Sequence, residues 1–176
     1  MDVPALPHDE YSNFLFGIVH QFTNLEIITR SVLQIKSGLR KEYFDALFGM
    51  PSLNAAATNL TKLYKIDPHP DHQVEILSSL EQLKTISRLR NWMVHGGGHP
   101  VADGGHLVHL NPNEISVATG QSYHIFTRND LTFAIRDLLT ISAIIGFLGT
   151  GQNFPNDRFL QDNLPWQFKL PGIQKA

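Results

Sequence analysis

Apolar residues between Asp9 and Gly38 recur at Phe14, Ile18, Phe22, Leu25, Ile28, Val32 and Ile35, in steps of three and four. That spacing lays one apolar stripe along an α-helix. Pro7 and Asp9 suit its start, and Gly38 suits its C-terminal cap. A short amphipathic piece, Tyr43 to Phe48, follows and stops at Gly49-Met50-Pro51. Ser52 fits the N-cap of a second long helix, whose stripe is Leu53, Ala56, Leu60, Leu63 and Tyr64. Asp67-Pro68-His69-Pro70 ends it, because proline lacks the amide hydrogen and pushes its predecessor out of the helical region. A third helix begins near Asp71, carries Ile76, Leu80, Leu83, Ile86 and Met93, and runs into Gly96-Gly97-Gly98, where it must stop.

The pattern then shortens to an alternation rich in β-branched and aromatic residues. Gly105–Leu110, Glu114–Thr119 and Ser122–Phe126 read as three strands of an antiparallel meander, with turns at Asn111-Pro112-Asn113 and Gly120-Gln121. Thr127 with Asp130 three residues on marks the next helix start, and that fourth long helix runs to about Leu148. Its second half is apolar almost all round, but shorter than the roughly 20 residues of a membrane span, which predicts a buried helix or a subunit contact rather than a membrane partner. After Gly149-Thr150-Gly151 the tail carries Phe154, Phe159, Trp166, Phe168 and Leu170, too many aromatics for a free linker. The reading is therefore a mostly α domain over residues 1–150, with a β insert at about 105–127, and an extended tail, 151–176, that packs on the domain or on a partner. The apolar helix and the aromatic tail exceed what a bundle this size needs, so a homodimer burying on the order of 1,500 Å² is expected.

Composition narrows the chemistry. The 176 residues contain no Cys, which removes disulfides, Cys-ligated zinc, iron–sulfur clusters and a thiol nucleophile. It also fits a reducing compartment, and Met1-Asp2-Val3-Pro4 opens no basic-then-apolar signal peptide, so a cytoplasmic location is expected. A hydrophobic share of 42% rules out a wholly disordered chain. With 14 Lys+Arg against 16 Asp+Glu the formal charge is −2, which argues against a general nucleic-acid coat held by counterion release. A phosphate site built from two or three residues remains compatible.

The most informative stretch is Arg88-Leu89-Arg90-Asn91-Trp92-Met93-Val94-His95-Gly96, at the end of the third helix. On an uninterrupted α-helix Arg90 and His95 would stand about 140° apart. The glycine run changes this, since the helix ends there and His95 can turn back over its last turn. Arg90 offers a permanent positive fork suited to phosphate, His95 can move a proton near neutral pH, and Asn91 sets an amide beside them. That is a minimal kit for RNA transesterification by the ribose 2′-OH, with no metal or cofactor required. One His cannot readily serve as both base and acid, so a second copy from a partner subunit would complete the site.

Arg90-Asn91-Trp92-Met93-Val94-His95 resembles the motif of the HEPN superfamily (higher eukaryotes and prokaryotes nucleotide-binding): Arg, four to six residues, His, commonly with a polar residue just after the Arg. The layout, with long helices before the motif and another after it, is similar over roughly residues 9–150. The resemblance implies a bundle of four or five helices that dimerises so that two motifs face one cleft. It also implies a metal-independent endoribonuclease acting on RNA, often a toxin or defence protein, with an antitoxin protein as partner where it is a toxin. By the same resemblance Arg90 and His95 are the catalytic pair and Asn91 their polar helper. A different class is also represented in the family, the non-catalytic module that binds a nucleotide or a partner protein. The β insert departs from the simplest four-helix members.

Competing readings of these residues are concrete. Arg90 can instead pair with a carboxylate such as Glu26 or Asp137, and His95 can cap a helix end. Lys84 and Arg88, one turn apart, can extend a phosphate track toward Arg90 as substrate-binding residues, or form a solvated face with Glu81 as counter-ion. His95-Gly96-Gly97-Gly98 spells a lipase oxyanion loop, but no Gly-x-Ser-x-Gly elbow accompanies it. His95, His99, His106 and His109 cluster in sequence, yet His106 and His109 have opposite parity on a strand and face opposite sides, so no metal site is expected.

Overall fold

The computed structural model describes residues 10–151 and 164–175. Pro7, Asp9, Phe154 and Phe159, which bear on the expected first-helix start and on the tail, lie outside the described residues. Helix α1 (Glu10–Ser37) ends where Gly38, at φ +67°, donates its amide to the Ile35 carbonyl at 3.1 Å. The short α2 (Lys41–Phe48) leads into α3 (Leu53–Ile66), capped by the Ser52 hydroxyl, which accepts from the Ala55 amide. Next come α4 (Gln73–Asn91) and, after the β segment, α5 (Arg128–Gly149). A full capping box starts α5: the Asp130 amide donates to Thr127 Oγ1, and the Thr127 amide donates back to the Asp130 carboxyl group.

The four long helices close into a ring. α1 packs on α5 and α3, and α4 packs on the same two. Ile18, Leu25 and Val32 of α1, Leu60 of α3, Leu83 and Ile86 of α4, and Leu138 and Ile141 of α5 are fully buried at its centre. Helix α5 is long and apolar enough to cross a membrane by length and composition, but half of that apolar window is buried within this fold. Leu131, Ala134, Leu138, Ile141, Ile144, Ile145 and Leu148 all face the interior, leaving Leu139 and Phe147 as its exposed large apolar residues. Its all-round apolarity reflects burial on several sides.

The protein is thus mostly helical, with a small three-stranded antiparallel sheet placed before the last long helix. The strands of that sheet are β1 (Gly98–Pro100), β2 (His106–His109) and β4 (Tyr123–Phe126), in the order β1-β2-β4. The remaining two, β3 (Glu114–Ser116) and β5 (Ile173–Lys175), pair with each other. The sheet therefore differs from a meander of three consecutive strands. Leu110 donates to the Ser122 carbonyl at 3.0 Å, so residues 111–121 loop out between β2 and β4. Within the loop Ser116 and Gln121 close a tight turn, which leaves the outer edge of β3 for the tail. An alternating pattern marks a strand but carries no information about its partner.

Tail residues are pinned by side chains as well as by β5. Trp166 and Phe168 are buried, and Trp166 Nε1 donates to Ser78 Oγ at 2.7 Å. Asp137 of α5, itself buried, accepts from the Phe168 amide at 2.9 Å, the Gln167 amide at 3.3 Å and Gln82 Nε2 at 2.8 Å. Removing that acceptor leaves buried donors unpaired, each at a cost of about 1–3 kcal/mol. Asp137→Ala is therefore expected to lower stability by about 2–4 kcal/mol and to expose residues 164–175 first. Chemical denaturation with hydrogen exchange on the tail amides tests this; unchanged protection at Phe168 would exclude the latch.

His124 of β4 shares a 2.8 Å hydrogen bond with Ser116 Oγ and meets the Phe126 ring edge-on. Burial lowers its pKa from the ordinary 6.5, against a smaller raising effect of Asp130. The unfolded chain then takes up the proton first as pH falls. Stability from this group is intact above about pH 6.5 and declines below it, until the folded-state pKa is also passed. Melting temperature from pH 7.5 to 5 should fall less steeply for His124→Asn than for wild type, and parallel slopes would remove His124 from the account.

Candidate functional site

The end of α4 is set by a close approach of backbones. A Cβ on Gly96 would lie 2.4 Å from the His109 carbonyl oxygen, and one on Gly98 would lie 2.3 Å from that of Leu107. Gly97 between them sits at φ +71°. Side chains at these three positions would clash with β2 or strain the chain, so the glycine run is what lets the helix end against the sheet. The last residues, Trp92–Gly96, wind as a π turn. The Tyr11 hydroxyl on α1 donates to the Met93 carbonyl in this turn at 3.0 Å. On the other side Trp92 Nε1 donates to Glu114 at 2.8 Å.

A π turn closes i→i+5 hydrogen bonds, so residues five apart come round to nearly the same side. Arg90 stands just before the turn and His95 near its end, so their angular gap is smaller than the α-helical value. No hydrogen bond joins the two among the described residues. His95 is exposed and has no hydrogen bond or ion pair among the described residues. It is not serving as a helix cap.

Arg90 is partly buried and donates from Nη1 to its neighbour's Asn91 Oδ1 at 3.1 Å. No carboxylate lies within ion-pair distance of it among the described residues. Asp137 is occupied by the tail, and Glu26 lines the same cavity without pairing. That cavity, about 270 Å³, lies between α1, the first turn of α3 and the end of α4, and its polar lining includes Arg90, Asn91, Ser87, Asn54, Thr23 and Glu26. A second, apolar trough of about 410 Å³ meets it at Arg90 and Val19, and is walled by Leu15, Phe16 and Val94. Arg90 thus stands where a polar hole opens onto an apolar surface, one residue short of the π turn that carries His95.

The other residues singled out above lie elsewhere. Arg88 is two positions from Arg90, or about 200° around the helix. It pairs with Glu114 at 3.1 Å and lies over the Trp92 ring. Lys84, one turn earlier, pairs with Glu81 at 3.3 Å. The structure brings neither to the Arg90 cavity: both have carboxylate partners, and Arg88 fastens β3 to α4. Of the histidines, His106 is buried against Phe14 and Tyr11, whereas His99 and His109 are exposed on the opposite sheet face. No group of three or more metal-ligating side chains occurs among the described residues.

Sequence reasoning missed Thr23, Asn54 and Ser87 and treated Glu26 only as a counter-ion. Val19, Thr23 and Glu26 do share an α1 face by their spacing. Nothing local, however, says that this face, the α3 start and the α4 end converge. Comparison of the chain with family models, with curated proteins and with solved structures finds no match.

Proposed function

We propose that this protein is a metal-independent endoribonuclease of HEPN type, working as a homodimer in which two Arg90–His95 motifs share one RNA strand. The observation that carries the reading is Arg90 itself. A partly buried guanidinium with no carboxylate partner among the described residues, beside a polar cavity, is a site prepared for an anion. The exposed His95 beyond it, unpaired among the described residues, is available to move a proton. The glycine-terminated π turn that follows Arg90 and carries His95 is a device often found at functional sites.

In the proposed reaction Arg90 holds the scissile phosphate. A His95 takes the proton of the adjacent ribose 2′-OH as that oxygen bonds to phosphorus. The bond from phosphorus to the 5′-oxygen breaks, and the departing oxygen takes a proton from the partner's His95. The products are a 2′,3′-cyclic phosphate and a 5′-hydroxyl, and no cofactor enters the balance. Asn91 holds the Arg90 fork in place through its 3.1 Å hydrogen bond. A toxin or defence role with an antitoxin partner, and a cytoplasmic setting, belong to the same reading.

A second reading has one observation in its favour. Arg90 and His95 are not joined, and the polar cavity extends from Arg90 toward α1 and α3. A non-catalytic module that only binds a nucleotide fits that direction.

His95→Ala should reduce RNA cleavage by about 10²–10⁴. Arg90→Lys should impair it too, because the planar fork is lost. DNA should be untouched, EDTA should not abolish cleavage, and products should end in 2′,3′-cyclic phosphate, read by mass spectrometry. Full cleavage by the folded His95→Ala protein retires the catalytic reading.

The same reading includes a dimer face. Trp166, Phe168 and most apolar side chains in the second half of α5 are buried within one chain, while Leu139 and Phe147 of that helix stay exposed; the face that would bring two motifs together is the trough beside Arg90. Phe16 is 72% exposed and Val94 39%, both on the trough beside Arg90. A second copy seated there brings two motifs together. Phe16→Glu should convert the dimer to a monomer in sedimentation and abolish cleavage; a dimer unaffected by that charge places the contact elsewhere.

A further inference from the structure

The Arg90 cavity contains a carboxylate that a plain phosphate site has no use for. Glu26, an exposed side chain of α1, lines the cavity together with the partly buried Arg90, yet no ion pair joins them and Glu26 has no other hydrogen bond among the described residues. Two opposite charges that line one small cavity without pairing are complementary to a ligand with an anion at one end and N–H donors at the other. A nucleotide is such a ligand. The cavity's 270 Å³ lies just below the roughly 300–1,000 Å³ typical of ligand pockets, a size on the scale of one nucleoside.

The amides sharpen the choice of base. Asn54 Oδ1 accepts from Ser87 Oγ at 2.9 Å, and Asn91 Oδ1 accepts from Arg90. Each carbonyl is thereby engaged, which leaves the NH₂ groups of both as donors toward a ligand. The cavity then offers donors from Asn54, Asn91 and Arg90, and a two-oxygen acceptor in Glu26. Guanine is the base that matches. Its N1–H and N2–H₂ are adjacent donors that can meet both carboxylate oxygens, and its O6 and N7 are acceptors. Adenine and cytosine set one amino donor beside a ring acceptor, and uracil sets one N–H between two carbonyls, so each would place an acceptor near the carboxylate.

We propose that the cavity is a guanine-specific nucleotide subsite, in which Glu26 reads the N1–H/N2–H₂ edge, Asn54 donates to O6 and Arg90 holds the phosphate. The inference rests on Arg90 binding a nucleotide phosphate, which both readings of function share. Glu26 is a specificity-determining residue here and takes no part in proton transfer.

The test is calorimetric titration of the full chain with the four nucleoside 3′-monophosphates and their 5′ isomers, in parallel with mapping cleavage on an RNA that contains every dinucleotide. GMP of one isomer should bind at least tenfold more tightly than AMP, CMP and UMP. Glu26→Gln should weaken GMP about tenfold and leave the other three within threefold, because an amide cannot accept both hydrogens. Asn54→Ala should weaken GMP severalfold, and Arg90→Ala should weaken all four nucleotides. Equal affinities for the four bases, no binding of any at millimolar concentration, or a guanine preference that survives both Glu26→Gln and Asn54→Ala overturns the subsite. Guanine-selective binding without RNA cleavage retires the nuclease reading and supports this one. Cleavage with no base preference at the cut does the reverse.

Discussion

The arrangement around Arg90 depends on one steric constraint: the backbone of β2 crosses the end of α4 too closely for any side chain on Gly96 or Gly98. That crossing fixes where α4 stops, forces its last residues to rewind as a π turn and fixes where His95 emerges. The turn is clamped from outside the helix on both sides: the Tyr11 hydroxyl reaches the Met93 carbonyl from α1, and Glu114 accepts from the Trp92 indole from the loop before β4. Alanine in place of Gly96 would act at a distance, since moving β2 by even part of an ångström disturbs both clamps together.

Helix α1 is a shared wall. Its inward stripe supplies Ile18, Leu25 and Val32 to the core, while Val19, Phe22 and Glu26, next to that stripe, line the cavity. Gly149 of α5 allows close packing on the same helix, since a Cβ there would come within 2.5 Å of Val32. The site is therefore built on helices with a packed core directly behind them, which holds side-chain positions better than loops do. Asp137 acts in the same way at the other end of the core: it ties the tail to α5 and α4, so β5 is available to hold the loop that carries Glu114.

What the chain discloses in sequence follows from the range of each interaction. Helix starts and stops are local events, and Ser52, Thr127, Gly38 and Asp67 mark them within a residue or two of where they occur. The short π turn was hidden, because no residue pattern separates it from the end of an α-helix. Strand pairing is not local, so β3 was readable as a strand while its partner, about 60 residues away by register, was not. The Arg90–His95 motif was readable because both residues lie on one continuous segment. The cavity was not, because Glu26, Asn54 and Ser87 sit on three helices whose facing sides only the folded ring defines. Lys84 and Arg88 show the opposite error. Their spacing suggested a track, but a step of two residues turns Arg88 nearly to the far side of the helix, where Glu114 neutralises it.

Charge bears on the proposed recognition of RNA. With a formal charge of −2 the chain has no excess of positive charge, and among the described residues Lys84, Arg88, Arg30, Lys36, Lys41 and Arg128 each sit beside a carboxylate. A protein that neutralises many phosphates gains affinity from released counterions in proportion to their number. A chain with no excess of positive charge gains little from that source, so in the proposed site discrimination comes from directional contacts inside a small volume. In the proposed subsite Glu26 favours a ligand that brings hydrogen-bond donors to it over one that presents an acceptor there. Selectivity built this way is a difference between partners, obtained by penalising the wrong one as well as by holding the right one.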